Sequence, residues 1–301
     1  MRHILAIRHL EKAEIENLLR LAADFKKKSP PTGVQRSVGL LFFENSTRTR
    51  VSFEQAASRL GHRVVNFSGS GSSLSKGETL KDTILTLRHE GLEAVVMRHS
   101  CSGSAQLAAG YFGNPVINAG DGEHEHPTQA LGDALTITER KGRIEGLKVA
   151  IVGDVLHSRV ARSNAWLLSK LGAEVRFVGP RTLLPTYTAK LPASTYHDLR
   201  TGIEDADVVM CLRLQKERML DGLLSSVDEY SKSYQINRTT LKSAAPDAIV
   251  MHPGPLNRGI EVDDVTADGP ASAILDQISN GVFVRMAALH WVLDGAQEAG
   301  E

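Results

Sequence analysis

Short apolar runs alternate with amphipathic segments along most of the chain. Residues 38–43 are continuously apolar, which is typical of a strand buried on both faces of a parallel sheet. Similar runs recur, and the predicted strands are 38–43, 63–67, 94–98, 115–118, 147–152, 174–178, 207–212 and 248–251. Apolar residues with the period of an α-helix predict helices at 11–28, 51–60, 78–89, 103–111, 128–142 and 280–293. The alternation favours an α/β fold in which helices cover both faces of parallel sheets.

The alternating pattern begins a second series at RIEGLKVAIVGD, residues 143–154. With 301 residues, the chain is long enough for two domains of ordinary size. The segment 137–147 is the predicted boundary between them. We therefore expect two domains, 1–140 and 146–282, each a parallel sheet flanked by helices.

Polar clusters follow directly after apolar strands in both halves of the chain. In chain order they are STRTR, Arg98-His99, NAGDGEHEHPTQ, GDVLHSR, RLQKER and HPGPLNR. Ligands of open α/β sheets bind outside the carboxyl ends of the strands. Clusters at such ends in two sheets predict an active site in the cleft between the two domains.

The stretch Ser46-Thr47-Arg48-Thr49-Arg50 lies between a predicted buried strand and a predicted helix. A helix N-terminus offers backbone N–H groups and the positive end of the helix dipole, and this stretch adds hydroxyl and guanidinium groups. An anion, and a phosphate in particular, is the predicted ligand. The alternative is that serine and threonine only cap the helix and that the arginines are ordinary surface residues.

Charge and composition restrict the expected ligand to a small molecule. Lys and Arg together number 35, as do Asp and Glu, so the formal net charge is zero and a general nucleic-acid-binding surface is not expected. Cationic residues are concentrated at the strand ends, with few carboxylates beside them: Arg48, Arg50, Arg98, Arg159, Arg213 and Lys76. Arginine suits bidentate binding of phosphate and carboxylate, so small polyanions are the expected substrates.

The sequence contains no recognisable membrane span or secretory signal. Its two cysteines form neither a disulfide framework nor a zinc pattern. We therefore expect a soluble cytoplasmic protein with no membrane partner.

The run 123–126, Glu-His-Glu-His, could suggest metal ligands. It lacks the spacing of a helical metal motif and Pro127 follows at once, so no metal site is expected. His126 can instead donate a hydrogen bond to a substrate oxygen. Residues 69–79 are rich in Gly and Ser without the spacing of a phosphate-binding P-loop, and a mobile surface loop is the simpler interpretation.

A series of motifs in fixed order resembles the aspartate carbamoyltransferase catalytic chain family. They are STRTR followed by VSFE, SxxxKGET, MRH, NAGDG with HPTQ, RLQKER and HPxPxxR, and they extend from about residue 4 to residue 293. STRTR with HPTQ indicates a carbamoyltransferase, whereas RLQKER and HPGP favour the aspartate branch. The ornithine branch is expected to carry a cysteine within the segment His252–Pro255. Gly254 stands where leucine is usual in the family, but only the backbone carbonyl is expected to matter there.

The resemblance implies that residues 1–140 bind carbamoyl phosphate and that residues 146–282 bind aspartate. It also implies that the last helix, 283–301, packs back onto the first domain. The working unit would be a homotrimer with active sites at subunit interfaces, and no cofactor is implied. Whether regulatory chains or a dihydroorotase associate with the trimer is left open.

The expected reaction transfers the carbamoyl group of carbamoyl phosphate to the α-amino group of L-aspartate, a step of pyrimidine (UMP) biosynthesis. By the same resemblance, the residues that bind carbamoyl phosphate are Ser46, Thr47, Arg48, Thr49, Arg98, His126 and Gln129. The residues implied to bind L-aspartate are Ser72, Lys76, Arg159, Arg213, Gln215, Gly254 and Pro255. Of these, Ser72 and Lys76 would come from the neighbouring subunit. The catalytic residues implied are Arg48, Thr49, Lys76, Arg98 and His126.

Two other interpretations remain at this point. One is a carbamoyltransferase that uses ornithine or a different amino acid. The other is a non-catalytic, two-domain protein that binds a small anion. The second leaves Lys76 and the double set of arginines unexplained.

Overall fold

The computed structural model describes residues 1–28, 33–68, 77–186, 190–215, 223–224 and 226–294. The chain divides into two compact units, Met1–Leu135 with Asn280–Glu301, and Thr136–Ser279. The sequence placed the division within 137–147 and near residue 283. The observed divisions at Leu135 and Asn280 both fall inside helices.

The first unit contains a four-stranded parallel sheet in the order β2-β1-β3-β4. Its strands are β1 Ser37–Phe42, β2 Arg63–Ser68, β3 Ala94–His99 and β4 Val116–Asp121. Its helices are α1 Lys12–Lys27, α2 Thr47–Arg59, α3 Leu80–His89 and α4 Ser104–Phe112. Helix α5, Pro127–Lys141, leads out of this unit, and helix α10, Ile274–Leu293, leads back into it.

The second unit contains a five-stranded parallel sheet in the order β7-β6-β5-β8-β9. Its strands are β5 Lys148–Val152, β6 Glu174–Val178, β7 Ser194–Tyr196, β8 Val208–Cys211 and β9 Ile249–Met251. Its helices are α6 Arg159–Lys170, α7 Leu199–Gly202, α8 Val227–Tyr234 and α9 Asp264–Ala267.

Burial on both faces explains why the central strands are continuously apolar. Strand β1 lies between β2 and β3, and Val38, Leu40 and Leu41 are fully buried. Leu41 packs in one core cluster with residues of α3, β3 and α4, including Ile84 and Phe112. Side chains on both sides of a central strand must therefore be apolar, and the period-two alternation of a half-exposed strand is absent.

The predicted fold class, two parallel sheets flanked by helices, is confirmed. All eight predicted strands are present, with ends shifted by up to three residues. Strand β7 was missed because it is a three-residue edge strand with little apolar character. The helices α6, α7, α8 and α9 of the second unit were not among the predicted elements. Within the described residues, no helix has both the length and the apolar character to cross a bilayer.

Two element boundaries differ in a way that affects the candidate site. Helix α2 begins at Thr47 and not at residue 51, so the threonines and arginines of STRTR form its first turn. Helix α10 begins at Ile274, six residues before the predicted start at 280. The sequence missed the first turn of α2 because its residues, Thr47–Arg50, are all polar, and it missed the start of α10 because Asn280-Gly281 is a turn signal in the middle of the helix.

Glycine is required where the carboxyl ends of β5 and β6 approach each other. A Cβ atom at Gly179 would lie 2.8 Å from the backbone oxygen of Gly153, a distance that Cβ atoms do not adopt. Because that obstacle is backbone, it cannot move aside like the end of a flexible side chain. Gly110, on the exposed surface of α4, has nothing within 4 Å of the equivalent position.

We predict opposite effects of alanine at these two glycines. Gly179→Ala should lower the free energy of unfolding by about 1–3 kcal/mol, since the strand ends must separate. Gly110→Ala should raise the free energy of unfolding by about 0.5–1 kcal/mol, since alanine is the better helix former and meets no obstacle. Urea unfolding of the two variants checks both signs, and equal stabilities would contradict the packing described here.

Candidate active site

Among the described residues, no side chain caps the N-terminus of helix α2. Ser46 is the N-cap residue with extended backbone, and its side chain makes no capping hydrogen bond. The first turn has no acidic residue either. Thr49 is buried, whereas Thr47 and Arg48 are exposed. The capping interpretation of Ser46 is therefore wrong, and the backbone N–H groups of this turn are suited to an anion.

Arg98 lies at the carboxyl edge of the same sheet, next to the strand that leads into α2. The register pairs Arg98 with Phe42, and the backbone N–H of Phe43 donates to the Arg98 carbonyl over 2.9 Å. The guanidinium lies 3.2 Å from the Glu44 carboxylate and donates to the Ala119 carbonyl over 3.3 Å. Glu44 is thus one of the few carboxylates beside the cations of these loops.

His126 is buried, with 4% of its surface exposed, directly before Pro127 starts α5. Its carbonyl accepts hydrogen bonds from the backbone N–H groups of Gln129 and Ala130, so it occupies the N-terminal end of the helix. Proline suits the first position of a helix because its missing N–H has no intrahelical acceptor there. His126 is thereby placed at the carboxyl edge of the sheet, as the last residue of the strand-to-helix turn.

Asp121 stabilises the turn between β4 and α5. One carboxylate oxygen accepts from Gly103 N–H over 2.7 Å, and the other accepts from Asn118 Nδ2 over 2.7 Å and from Glu125 N–H over 3.2 Å. His124 Nδ1 lies 3.0 Å from the first of these oxygens. Burial raises the pKa of this carboxyl, but the hydrogen bonds from His124, Asn118 and Gly103 outweigh it and lower the pKa below its ordinary value.

The residues that suggested a metal site have other partners. The Glu125 carboxylate accepts from Ile7 N–H over 2.7 Å and is almost fully buried, so it holds the N-terminal segment against the sheet. His124 pairs with Asp121. Across the described ranges, no group of three or more His, Cys, Asp or Glu side chains is arranged to hold a metal ion.

The second unit presents a similar set at the carboxyl edge of its own sheet. Arg159 is the first residue of α6 and is buried, and Ser158 caps that helix by accepting from Ala161 N–H over 3.1 Å. Arg213 and Gln215 follow β8 and are half-buried. Because Ser158 already caps α6, the group of this helix that is best suited to bind an anion is the Arg159 guanidinium.

A buried pair, Asp154 and His157, supports Gln215. The Asp154 carboxylate accepts from His157 Nδ1 over 2.8 Å and from Gln215 N–H over 3.4 Å. The Gln215 amide donates to the His157 carbonyl over 3.0 Å. Burial raises the pKa of Asp154, and the contacts with His157 oppose that rise. The pair joins the loops after β5 and β8 into one arrangement.

The segment after β9 is fixed by His252. Gly254 N–H donates to His252 Nδ1 over 2.8 Å, so the ring proton belongs on Nε2, which lies 3.5 Å from the buried Glu261 carboxylate. The peptide bond between Gly254 and Pro255 is cis. These contacts hold the Gly254 carbonyl at the carboxyl end of the strand.

The structure thus brings most of the expected site residues to two sheet edges. In the first unit they are Ser46, Thr47, Arg48, Thr49, Arg98, His126 and Gln129. In the second unit they are Arg159, Arg213, Gln215, Gly254 and Pro255. Ser72 and Lys76 lie outside the described residues, as does the second half of RLQKER, residues 216–218. That the two sets face one cleft stays a prediction.

The carboxylates that support these residues were not predicted from the sequence; they are Glu44, Asp121, Asp133 and Asp154. Only one weak signal was available for them, namely an acidic residue within or next to an apolar run. Asp121 ends β4 and Asp154 comes two residues after β5. Their burial and partners depend on tertiary contacts.

Two family models match the chain in sequence. One, described as the aspartate/ornithine carbamoyltransferase carbamoyl-P binding domain, matches residues 2–139. The other, the Asp/Orn binding domain of the same enzymes, matches residues 145–292. The chain belongs to the aspartate/ornithine carbamoyltransferase family. The resemblance that the motifs indicated is therefore confirmed.

Relatives and solved structures agree with this membership. The chain is 50% identical to the aspartate carbamoyltransferase catalytic subunit of Desulforamulus reducens, over 98% of this chain and 97% of the relative. Aspartate transcarbamoylase from Trypanosoma cruzi in complex with carbamoyl phosphate superposes with a TM-score of 0.87 at 34% identity, covering 97% of this chain and 96% of that one. Ornithine carbamoyltransferase from Pyrococcus furiosus also superposes with a TM-score of 0.87, at 32% identity, covering 98% of this chain and 97% of that one. The fold of the family alone therefore does not separate the two acceptors.

The contacts of Asp121 predict a pH-dependent contribution to stability. Because its pKa is lowered in the folded state, the stabilisation is present above its ordinary value of 3.8 and is lost as the pH falls through the lowered pKa. Asp121→Asn should lower the free energy of unfolding by about 3 kcal/mol at pH 7, and the difference from the wild type should shrink in acid. Glu90→Gln, which removes an exposed carboxylate, is the control and should change little. A pH-independent difference would contradict the assignment.

Proposed function

We propose that the chain is an aspartate carbamoyltransferase. It transfers the carbamoyl group of carbamoyl phosphate to the α-amino group of L-aspartate, giving N-carbamoyl-L-aspartate and phosphate, in cytoplasmic pyrimidine biosynthesis. The observation that carries the proposal is the pair of arginine-bearing sheet edges, one in each unit, in a chain 50% identical to a protein named aspartate carbamoyltransferase catalytic subunit. Two anionic reactants need two such cationic sites.

Carbamoyl phosphate occupies the first unit in this proposal. Its phosphate binds the uncapped first turn of α2, with Ser46, Thr47 and Arg48 as ligands. Thr49, Arg98 and His126 surround the carbonyl oxygen, and Gln129 accepts from the amino group. The support is that all of these residues lie at one sheet edge. The ion pair with Glu44 fixes the direction of the Arg98 side chain before the substrate arrives.

L-Aspartate occupies the second unit. Arg159, Arg213 and Gln215 hold its two carboxylates, and the backbone of Gly254 and Pro255 orients its amine. Bidentate guanidinium contacts suit a dicarboxylate better than the cationic side chain of ornithine, which would be repelled. Ser72 and Lys76 complete the site from a neighbouring subunit of a homotrimer.

The mechanism needs only positioning and charge. The α-amino nitrogen of aspartate attacks the carbonyl carbon, a C–N bond forms, and the bond from carbon to the phosphate oxygen breaks. Negative charge develops on the carbonyl oxygen, so donors placed there stabilise the transition state more than the ground state. Each such donor contributes about 3–4 kcal/mol to lowering the barrier. The leaving phosphate accepts the proton that the amine loses.

Orientation is the second contribution of the site. The two substrates are both anions and repel each other in water, and a cationic site removes that repulsion while aligning amine and carbonyl. Exclusion of water protects the labile acyl phosphate from hydrolysis. The proposal requires no cofactor.

An assay of acceptor choice tests the proposed function. The purified chain should release phosphate from carbamoyl phosphate only when aspartate is present, and ornithine should not replace it. His126→Ala is the control for contaminating enzymes and should lose at least about a hundredfold in kcat, because a donor to the carbonyl oxygen is gone. Activity with ornithine alone would establish the alternative acceptor. Binding of carbamoyl phosphate without turnover by any acceptor would favour a non-catalytic protein.

Mixing of inactive subunits tests the shared site. Lys76→Ala and Arg48→Ala chains should each be nearly inactive alone. Mixed trimers contain interfaces that join an intact Arg48 to an intact Lys76, and activity should return in proportion to their number. Native mass spectrometry confirms that mixed particles form. Mixed trimers as inactive as their parents would mean that each site is built within one chain.

A further inference from the structure

Gln129 is held by a carboxylate one helical turn further along α5. Its Nε2 donates to Asp133 Oδ1 over 2.8 Å, and Asp133 is fully buried. An ionised carboxylate accepts hydrogen bonds and cannot donate them. The amino end of the Gln129 amide must therefore face Asp133, and the acceptor, Oε1, is turned away from it. An ionised Asp133 fixes which end of this amide a ligand meets.

Arg285, from α10, supplies the positive charge that favours ionised Asp133. The guanidinium is buried over the ring of Phe53, 5.3 Å from the ring centroid, and its Nη1 donates to Ser52 Oγ over 3.0 Å. Burial lowers the pKa of Arg285 to about 10 and the charge of Asp133 opposes that shift, so the guanidinium remains positive at neutral pH. A nearby positive charge favours the ionised form of a carboxyl.

Helix α10 is built to accommodate this guanidinium. A Cβ atom at Gly281, one turn before Arg285, would collide with Arg285 Nη1. Ser52 belongs to α2, whose first turn is the proposed phosphate site. Arg285 therefore contacts α2 through Ser52, and its charge interacts with that of Asp133 on α5.

We propose that Asp133 is a positioning residue that sets the polarity of the Gln129 amide and so makes the site select a carbamoyl group over an acetyl group. The inference rests on the proposed function. With Oε1 presented, the site offers an acceptor to the amino group of carbamoyl phosphate. Acetyl phosphate has a methyl group at that position and makes no such hydrogen bond.

The isosteric variant Asp133→Asn tests this role. Asparagine can donate to Gln129 Oε1, so the amide is free to turn its amino end to the ligand. Isothermal titration with carbamoyl phosphate and with acetyl phosphate gives a selectivity ratio for each protein. The ratio should fall about tenfold in Asp133→Asn, with acetyl phosphate affinity nearly unchanged. Glu139→Gln, an exposed loss of charge on the same helix, should leave the ratio unchanged.

A double variant that exchanges the two groups separates polarity from packing. In Gln129→Glu with Asp133→Asn, the new amide donates to the new carboxylate, and the second carboxylate oxygen again offers an acceptor to the ligand. The selectivity ratio should return towards the wild-type value even where the negative charge, now moved to position 129, weakens the binding of both ligands. If Asp133→Asn fails to fold, the double variant decides by itself.

The outcomes are distinguishable from those that test the function. Wild-type protein that binds neither compound overturns the proposed function and this inference with it. If the wild-type protein is selective but Asp133→Asn loses affinity for both ligands equally, the role of Asp133 alone is overturned. The same follows if the double variant stays unselective.

Discussion

Parallel hydrogen bonding makes all strands of a sheet end at the same edge, and the candidate site depends on that constraint. Phe42 pairs with Arg98, and His99 pairs with Asp121, so loops far apart in the chain begin side by side. Each loop then enters a helix, whose N-terminus points to the same edge. The same constraint operates independently in the second sheet, where the loops after β5, β8 and β9 carry the second set of polar residues.

Buried carboxylates support the polar residues at these edges. Asp121 holds the turn before His126, Asp133 holds Gln129, and Asp154 holds Gln215. Burying a carboxylate is costly unless it is hydrogen-bonded, so each of these groups accepts from backbone N–H groups or side chains. Burial raises the pKa of such a carboxyl and hydrogen bonds lower it. At Asp121 the hydrogen bonds prevail and the pKa is lowered, whereas at Asp154 burial prevails and the pKa is raised.

A neutral chain can still provide a strong local field. The net charge is zero, yet the candidate-site arginines Arg48, Arg98, Arg159 and Arg213 lie at the sheet edges, where two anions would react in the proposed function. The carboxylates nearby are mostly engaged with protein groups, as Glu44 is with Arg98 and Glu125 is with Ile7. The net charge therefore argued against a general polyanion-binding surface but did not locate the site. The site was located by the positions of the charged residues relative to the ends of the strands.

Local pattern by itself determined the strands, the two-unit α/β organisation and the sheet edges on which the site residues lie. Central strands of a parallel sheet are apolar at every position, as 38–43 is, and this signal does not depend on distant contacts. The motifs STRTR and HPTQ likewise identified the family, because their residue types and order are local properties of the chain.

Tertiary structure decided what local pattern could not. The start of α2 at Thr47, the edge strand Ser194–Tyr196 and the burial of Asp133 depend on neighbours that are distant in the chain. Arg285 illustrates the reason. In the sequence it is one cation in an apolar helix, and its role follows only when α10 packs it against Phe53 and within reach of Asp133's charge. Propensity acts over a few residues, whereas the partner of a buried charge is chosen by packing between elements.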